Sequence, residues 1–271
     1  MRTYHHDQQD GAQRRLALET YIEANLVTAS KQFVCSSCTA ICIPSTAGKE
    51  FIAGEMPHFG DYFSLRTDHG APVRVVVMGQ ERGVPRERDE RVGARGASAV
   101  TVAERTKYVE GFRPRGVRKP NSHINGTVFG LAAVFGNTGD EEYIIVDGQR
   151  VHVLDAFVLT NSTLCSAVDK STGRAKASPQ MKDACVRHAR ATLEILDPTV
   201  LIVQGGAARA AVEAALGCTL RNEQPIALRP DGAATAILLP HPTSQGATNW
   251  SGSGRTYFSR TVVPLLRQLI S

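Results

Sequence analysis

Long hydrophobic runs are what this sequence most clearly lacks. No stretch of about 18 uninterrupted apolar residues occurs in its 271 residues, which argues against a transmembrane helix. The polar start, residues 1–6, also lacks the apolar segment of a secretion signal. We therefore expect a cytoplasmic protein with no membrane partner. Repeats and low-complexity tracts are missing too, and 42% hydrophobic residues suffice to bury the core of a single domain over residues 1–271.

Six cysteines stand out in a chain without a secretion signal. Disulfides explain them poorly, so metal binding in a reducing compartment is the better explanation. Cys35 and Cys38 form a Cys-x-x-Cys, and Cys165 and Cys185 flank a polar loop far along the chain. Four thiolates brought together by folding hold either a structural zinc or a cubane iron–sulfur cluster, because both require a closed tetrahedral set of sulfurs. The pair of Cys38 and Cys42 remains an alternative to the first pair.

Positive charge is concentrated in the middle of the chain. A formal charge of +5 permits nucleic-acid binding but is common on proteins of other functions. We expect a basic insertion around residues 84–125 that forms a mobile arm on the domain, since contacts to phosphates would give a DNA affinity that falls with salt. A solvated, salt-bridged loop is the alternative. The cations of this region are Arg82, Arg86, Arg88, Arg91, Arg95, Arg105, Lys107, Arg113, Arg115, Arg118 and Lys119.

The remaining sequence alternates predicted strands and helices. This order indicates an α/β fold with a central parallel sheet flanked by helices on both faces. A proline in the first turn predicts a helix from Ser178, on which Met181, Cys185 and His188 share the buried face. Strands are predicted at 73–78, 143–146, 151–159, 199–203 and 234–239, with a hairpin turn at 147–148. Further helices are predicted at 207–216 and 255–270.

Polar residues follow three of these strands. Ligands of open α/β sheets bind outside the carboxyl ends of the strands, so a site is expected there. The three segments read Gly-Gln-Glu-Arg-Gly at 79–83, Thr-Asn at 160–161 and His-Pro-Thr-Ser at 241–244, and the cysteine pairs are interleaved with them. This order resembles the signature loops of the uracil-DNA glycosylase superfamily, in its iron–sulfur, family 4-like branch, of which the chain looks like a divergent member. The resemblance extends, with gaps, from Cys35 to Ser244.

The resemblance implies a uracil-DNA glycosylase-like, three-layer αβα fold, a monomeric protein and DNA as its partner. It also implies a 4Fe-4S cluster as cofactor, held by Cys35, Cys38, Cys165 and Cys185. Such a cluster would act as a structural pin that fixes the base-reading loop without performing redox chemistry. Ligand chemistry alone leaves zinc open at the same sulfurs.

The activity implied by the resemblance is that of a DNA glycosylase, which flips a uracil or modified pyrimidine out of DNA and hydrolyses its N-glycosidic bond. The bond breaks through a sugar cation and a base anion, so the site needs a carboxylate and a histidine. Glu81 and His241 take these roles. Gln80, the third expected catalytic residue, replaces the glutamate of the branch pattern, and Glu81 and Arg82 replace its Ala-Pro. No signature loop contains a lysine, which predicts hydrolysis to an abasic site without a Schiff base.

Substrate-binding roles follow from the same resemblance. Asn161 would read the edge of the flipped base with its amide, which offers one donor and one acceptor group. Phe129 would stack on the base. His123 and His188 are assigned to local structure instead. The remaining expected substrate-binding residues are Gly79, Gly83, Thr243 and Ser244, and residues 245–250 are expected to contain the side chain that fills the gap in the duplex.

Other interpretations remain open from the sequence. The substrate could be a hypermodified phage cytosine, which would imply a role in anti-phage defence. A non-catalytic iron–sulfur protein would bind DNA without forming abasic sites. Each signature residue also has a structural interpretation: Glu81 as an exposed turn residue paired with Arg82, Asn161 as an Asx turn, and His241 as a helix cap.

Overall fold

The computed structural model describes residues 2–30, 32–46, 48–81, 101–112, 122–137, 141–169, 171, 174–252 and 255–270. Within these ranges the side chains of Cys38, Ser45, Lys107, Tyr108, Glu110, Phe112 and Arg174 are not described. The strands are β1 (Thr3–His6), β2 (Glu50–Ile52), β3 (His58–Phe59), β4 (Ser64–Thr67), β5 (Pro72–Glu81), β6 (Tyr143–Val146), β7 (Gln149–His152), β8 (Phe157–Thr163), β9 (Ser166–Asp169), β10 (Arg174–Ala175), β11 (Val200–Gln204), β12 (Ile226–Ala227) and β13 (Thr235–Leu239).

The α-helices are α1 (Gln8–Leu26), α2 (Val102–Phe112), α3 (Ser122–Val134), α4 (Pro179–Leu196), α5 (Gly206–Leu216) and α6 (Val263–Arg267). Over the described part of the chain, none of the helices combines the length and the apolar character needed to cross a bilayer.

Four parallel strands form the centre of the fold, in the spatial order β8-β5-β11-β13. The second half of β5 pairs with β8, whereas its first residues pair antiparallel with β4, which connects the sheet to β1, β6 and β7. Central strands are buried on both faces and therefore need continuous apolar runs. Val75, Val76 and Val77 of β5 are all fully buried. The sheet is mixed, with a parallel centre flanked by helices, and the predicted α/β class with three layers is confirmed.

Side chains along each central strand alternate between two hydrophobic cores. On β5, Val75 and Val77 belong to one core, and Val76 and Met78 belong to the other. The first core includes residues of α3 and α6, and we call this side of the sheet the α3 face. The second includes residues of α1, α4 and α5, and we call this side the α4 face.

Most predicted elements are confirmed with shifted ends, but the strand predicted at 151–159 is wrong. Residues Val153–Asp155 form a 3-10 turn that separates β7 from β8. The turn forms because Nδ1 of His152 accepts a hydrogen bond from the backbone N–H of Leu154 at 3.0 Å, which caps it. The hairpin predicted at 147–148 is confirmed, with φ of 48° at Asp147 and 77° at Gly148, the left-handed values of a type I′ turn.

The closing helix predicted at 255–270 is interrupted by a π-helical turn at Phe258–Val262, just before α6. Pro264 lies in the first turn of α6. Because proline has no N–H to donate to the preceding turn, a regular α-helical ladder cannot continue through it.

Part of the predicted basic arm is instead a packed helix. Residues 82–100 and 113–121 of that region lie outside the described residues. Between them, α2 buries Val102 and Val109 in the two cores. Arg105 is 8% exposed and forms an ion pair with the buried Glu55 at 2.6 Å. The assignment of Arg105 to a mobile DNA-binding arm is therefore corrected, since its guanidinium is held inside the fold.

A cluster of arginines and aspartates ties the amino end of β5 to two helices. Asp197 ends α4 in the left-handed conformation, with φ of 46°. Its carboxylate binds Arg74 at 2.8 Å and Arg14 at 3.3 Å, and also contacts Arg229. Arg74 is buried near the start of β5 and donates its Nε to the Asp197 carbonyl at 2.7 Å. Asp10 of α1 completes the cluster through Arg14, at 2.9 Å.

Replacing Asp197 by Asn should lower the free energy of unfolding by about 2 kcal/mol, because an amide keeps the left-handed turn but removes the charge that three arginines share. Urea denaturation followed by circular dichroism measures this change. Asp61→Asn is the control, since the Asp61 carboxylate pairs with Arg15 but is 79% exposed. We expect that control to change stability by less than about 0.5 kcal/mol. Equal losses in the two variants would contradict a structural role for the cluster.

Candidate active site

The carboxyl ends of the four central strands meet at one edge of the sheet. After β5 the next parallel strand, β8, lies on one side of it, and after β11 the chain continues to β13 on the other side. The ends of β5 and β11 therefore flank the point where the strand order reverses, which is where open α/β sheets bind ligands. Glu81 ends β5, Asn161 lies near the end of β8, and His241 follows β13. Folding thus brings the three predicted groups to one edge.

Asn161 lies against the backbone of Gly79 in the neighbouring strand. A methyl group on Gly79 would lie 2.9 Å from Oδ1 of Asn161, so a larger residue would displace the amide. Asn161 is half-buried and lies within β8, which excludes the interpretation as an Asx turn at the strand end. The absence of a side chain at Gly79 therefore leaves the space that the Asn161 amide occupies at the sheet edge.

Glu81 has a buried carboxylate oxygen, Oε2, without a hydrogen-bond partner among the described residues. Glu81 pairs in register with Thr163 of β8, whose buried hydroxyl has no described partner either. Alternation along the strands puts both on the α3 face, together with Asn161. Buried polar atoms in folded proteins are normally hydrogen-bonded. The two oxygens therefore mark a place where a water or a ligand donor can be held, and the interpretation of Glu81 as an exposed turn residue does not fit.

Gln80 lies on the opposite face of the sheet from Glu81, because consecutive residues of a strand point in opposite directions. Its amide reaches Gly205 at the end of β11, where a methyl group would lie 2.3 Å from Nε2 of Gln80. This amide lines an open cleft of about 360 Å³ together with Arg209 and His241. The structure does not bring Gln80 together with Glu81 and Asn161. The catalytic role of Gln80 stays a prediction, and Gln80 shares its cleft with His241 rather than with Glu81.

His241 begins a tight turn after β13. Nδ1 of His241 accepts a hydrogen bond from the Thr243 backbone N–H at 3.3 Å and lies 2.9 Å from the Thr243 hydroxyl. The backbone N–H of Ser244 donates to the His241 carbonyl at 2.8 Å and closes the turn. Because Nδ1 accepts the bond from the Thr243 N–H, the single proton of the neutral ring is on Nε2. Burial, with a smaller contribution from the adjacent His123, lowers the pKa of His241 to about 3, so the ring is neutral at physiological pH.

His123 is a site residue that the sequence reasoning missed. It stands at the start of α3, and its ring stacks on that of His241, with centroids 4.6 Å apart and planes at 20°. Its Nε2 donates to Oε1 of Gln204 at 2.7 Å. Burial lowers the pKa of His123, although the bond to Gln204 opposes the shift. The local sequence carries no signal for this contact, because only the fold brings the start of α3 to the end of β13.

Two residues that the sequence suggested for the site, Phe129 and Trp250, lie in the core instead. Phe129 is 2% exposed and packs against Phe258, with ring centroids 6.0 Å apart, so its ring does not face the sheet edge. The prediction that Phe129 stacks on a base is corrected accordingly. Trp250 is 1% exposed and donates its ring N–H to the Pro240 carbonyl at 2.7 Å, which removes it from the candidates for a duplex wedge. Gly83, another predicted substrate-binding residue, lies outside the described residues.

Three of the predicted cysteine ligands, Cys35, Cys165 and Cys185, are buried on the α4 side of the sheet. Exposure is 3% for Cys35, 1% for Cys165 and 2% for Cys185. A hydrogen bond from Cys165 lowers the pKa of the Cys185 thiol, and Cys35 is close enough to influence it electrostatically. Cys42 is also buried, with its sulfur 3.9 Å from the carbonyl oxygen of Gln180.

The donor chemistry of these thiols suits zinc or an iron–sulfur cluster, since three sulfurs from distant parts of the chain share one buried region. The side chain of Cys38, the remaining predicted ligand, is not described. Among the described side chains, no group of three or more histidine, cysteine or carboxylate residues is already arranged around a common metal position.

Comparison with protein-family models and with curated proteins found no match.

Replacing Gly205 by Ala should destabilise the protein by about 2 kcal/mol or more, because φ of 91° is strained for any residue with a side chain and the new methyl group would meet the Gln80 amide. Gly206→Ala is the matched control. Its methyl group would meet no atom within 4 Å and would start α5 with a better helix former. Thermal unfolding of both variants measures the difference. A stable Gly205→Ala protein would show that Gln80 moves away without cost.

Proposed function

We propose that this chain is a monofunctional DNA glycosylase that hydrolyses the N-glycosidic bond of a uracil or a modified pyrimidine in DNA. The observation that carries the proposal is the common position of Glu81, Asn161 and His241 at the carboxyl edge of one face of the sheet. At about 4.8 Å per strand, the backbone at Glu81 lies about 10 Å from that at His241, and Asn161 lies about 15 Å away.

Asn161 and His241 would hold the two sides of the extruded base. The Asn161 amide offers one donor and one acceptor to the edge of a pyrimidine. As the C1′–N bond breaks, its electron pair leaves with the base, and Nε2–H of His241 donates to the base oxygen on which the negative charge develops. A neutral donor suffices for this task, in keeping with the lowered pKa of His241.

Glu81 would act on the sugar side of the bond that is broken. Its carboxylate stabilises the positive charge that develops at C1′ and holds the attacking water, whose oxygen bonds to C1′. One water proton passes to the Glu81 carboxylate, which returns it to solvent, the departing base anion takes up one proton from solvent, and an abasic site remains. The buried Oε2 without a described partner supports this role, because such an oxygen is costly to keep unless a water or substrate satisfies it. The same observation favours an enzyme over a purely DNA-binding module.

A 4Fe-4S cluster is the proposed cofactor, with Cys35, Cys38, Cys165 and Cys185 as its ligands and Cys42 as the alternative to Cys35. When bound, the cluster would supply rigid cross-links between distant segments. Cys165 lies two residues beyond the end of β8, so a ligand bond there would stiffen the strand that carries Asn161.

DNA is the proposed partner. The positive formal charge of the chain, +5, favours association with phosphates. Among the described cations, Arg209 lies in the cleft beside His241 with 41% of its side chain exposed, where a phosphate could reach it.

Wild-type protein should release free base from synthetic DNA that contains uracil, or from phage DNA that contains hypermodified cytosine. Mass spectrometry of the released base identifies the substrate and separates the two. His241→Ala and Glu81→Gln should each lower the rate at least about 100-fold, because each removes charge stabilisation specific to the transition state. Gly79→Ala should lower the rate through displacement of the Asn161 amide.

His69→Ala and Glu23→Gln serve as matched controls, since both residues are exposed and distant from the carboxyl edge. Both should retain wild-type rates. DNA binding without base release from any of these substrates would contradict the proposed activity and favour a binding module. Wild-type rates in Glu81→Gln would remove the role given to that carboxylate.

Anaerobically purified protein should be brown and contain about four iron atoms per chain if the cluster proposal is correct. Cys165→Ser and Cys185→Ser should lose the colour, whereas Cys218→Ser should keep it. The colour of Cys35→Ser compared with that of Cys42→Ser decides between the alternative ligands. Stoichiometric zinc without iron would contradict the proposed cofactor.

A further inference from the structure

Helix α3 approaches the loop after β13 through a glycine. A methyl group on Gly126 would lie 2.8 Å from Cβ of Pro242 and 3.1 Å from the backbone of Ser251. One turn later, a methyl group on Gly130 would lie 3.0 Å from the ring of Trp250. Asn125 adds a hydrogen bond to the Ser251 carbonyl at 2.6 Å. Close packing of this kind holds the start of α3 in a fixed position over the loop.

His123 is also tied to the sheet by a fully buried amide. Gln204, with 0% exposure, accepts from Nε2 of His123 at 2.7 Å and donates to the hydroxyl of Thr127 at 3.1 Å. Thr127 lies one turn beyond His123 on α3 and is 2% exposed. Both the oxygen and the nitrogen of the Gln204 amide are hydrogen-bonded, so this side chain has one defined orientation. The bond to Gln204 in turn fixes the orientation of the His123 imidazole.

We infer that His123 is a positioning residue for His241, because its fixed ring is the surface against which the His241 imidazole lies at 4.6 Å and 20°. The stack sets the plane of the His241 ring, and the Thr243 N–H sets its rotation in that plane. Together they fix the direction of the Nε2–H. The inference rests on the proposed function, which gives His241 its role as donor to the leaving base.

Charged groups of both signs lie near this pair, since its two neighbouring arginines, Arg209 and Arg105, form ion pairs with Glu213 and Glu55. Arg209 of α5 shares the cleft with His241, and Arg105 of α2 acts electrostatically on His123. His123 itself disfavours a proton on His241. Burial is the main cause of the lowered pKa of both rings, and repulsion of His241 by His123 and of His123 by Arg105 adds to it. His241 therefore acts as a neutral hydrogen-bond donor.

The test compares His123→Ala with His123→Phe. Alanine removes the stacking surface and admits water, so the pKa of His241 should rise toward the ordinary histidine value of roughly 6.5. The kcat for base release at pH 7 should fall about tenfold with KM little changed, since orientation is lost and binding contacts are kept. Phenylalanine keeps an aromatic surface and should restore most of kcat. NMR titration of the His241 ring protons measures the pKa independently of activity, with His69→Phe as a histidine-loss control.

Thr127→Val gives a milder second variant, which loosens Gln204 without removing either ring and should lower kcat less than His123→Ala. The inference is overturned if His241 titrates in His123→Ala as it does in the wild type, or if kcat in that variant is unchanged. It is also overturned if phenylalanine is as damaging as alanine at a retained melting temperature. If the wild type releases no base, the proposed function fails, and the titration alone still decides whether His123 positions His241.

Discussion

The alternation of side chains along β5 is the constraint on which the candidate site depends. The last three residues of β5 are Gly79, Gln80 and Glu81, and successive positions on a strand face opposite sides of the sheet. Gly79 leaves space for Asn161 on the α3 face, and Glu81 follows on that same face. Gln80 is directed to the other side, where Gly205 makes room for its amide. A shift of one residue in the register would exchange these roles and separate the carboxylate from the asparagine.

Local patterns predicted β5, β11 and β13 well because their apolar runs are continuous and end at turn residues, whereas β8 begins only at Phe157, after the predicted start. The pairing of β1 with β4 and with β6, antiparallel in the first case and parallel in the second, joins distant segments, which no local pattern encodes. The role of Phe129 could not be predicted from sequence for a similar reason. An aromatic residue on a helix can face either the core or a ligand, and only the fold shows that Phe129 faces the core. The positions of Glu81 and Asn161 at the carboxyl edge were predicted from sequence because each residue directly follows or ends an apolar run. His123 was missed because α3 reaches His241 only through tertiary packing at Gly126.

The sheet separates the candidate metal ligands from the candidate catalytic residues. The buried cysteines belong to the α4 side, whereas the stacked histidines, Glu81 and Asn161 belong to the α3 side. The two regions are connected by β8, which carries Asn161 and ends two residues before Cys165. The proposed cluster would therefore stiffen β8 from the α4 side, away from Glu81 and Asn161.

The ion cluster centred on Asp197 lies at the end of the sheet opposite the reactive groups. The strands are thus anchored at one end by the ion cluster and carry the candidate catalytic residues at the other. The Asp197 cluster is separated from the carboxyl edge by the length of the strands. Such a division would let the proposed substrate contacts differ through loop replacement while the anchor persists.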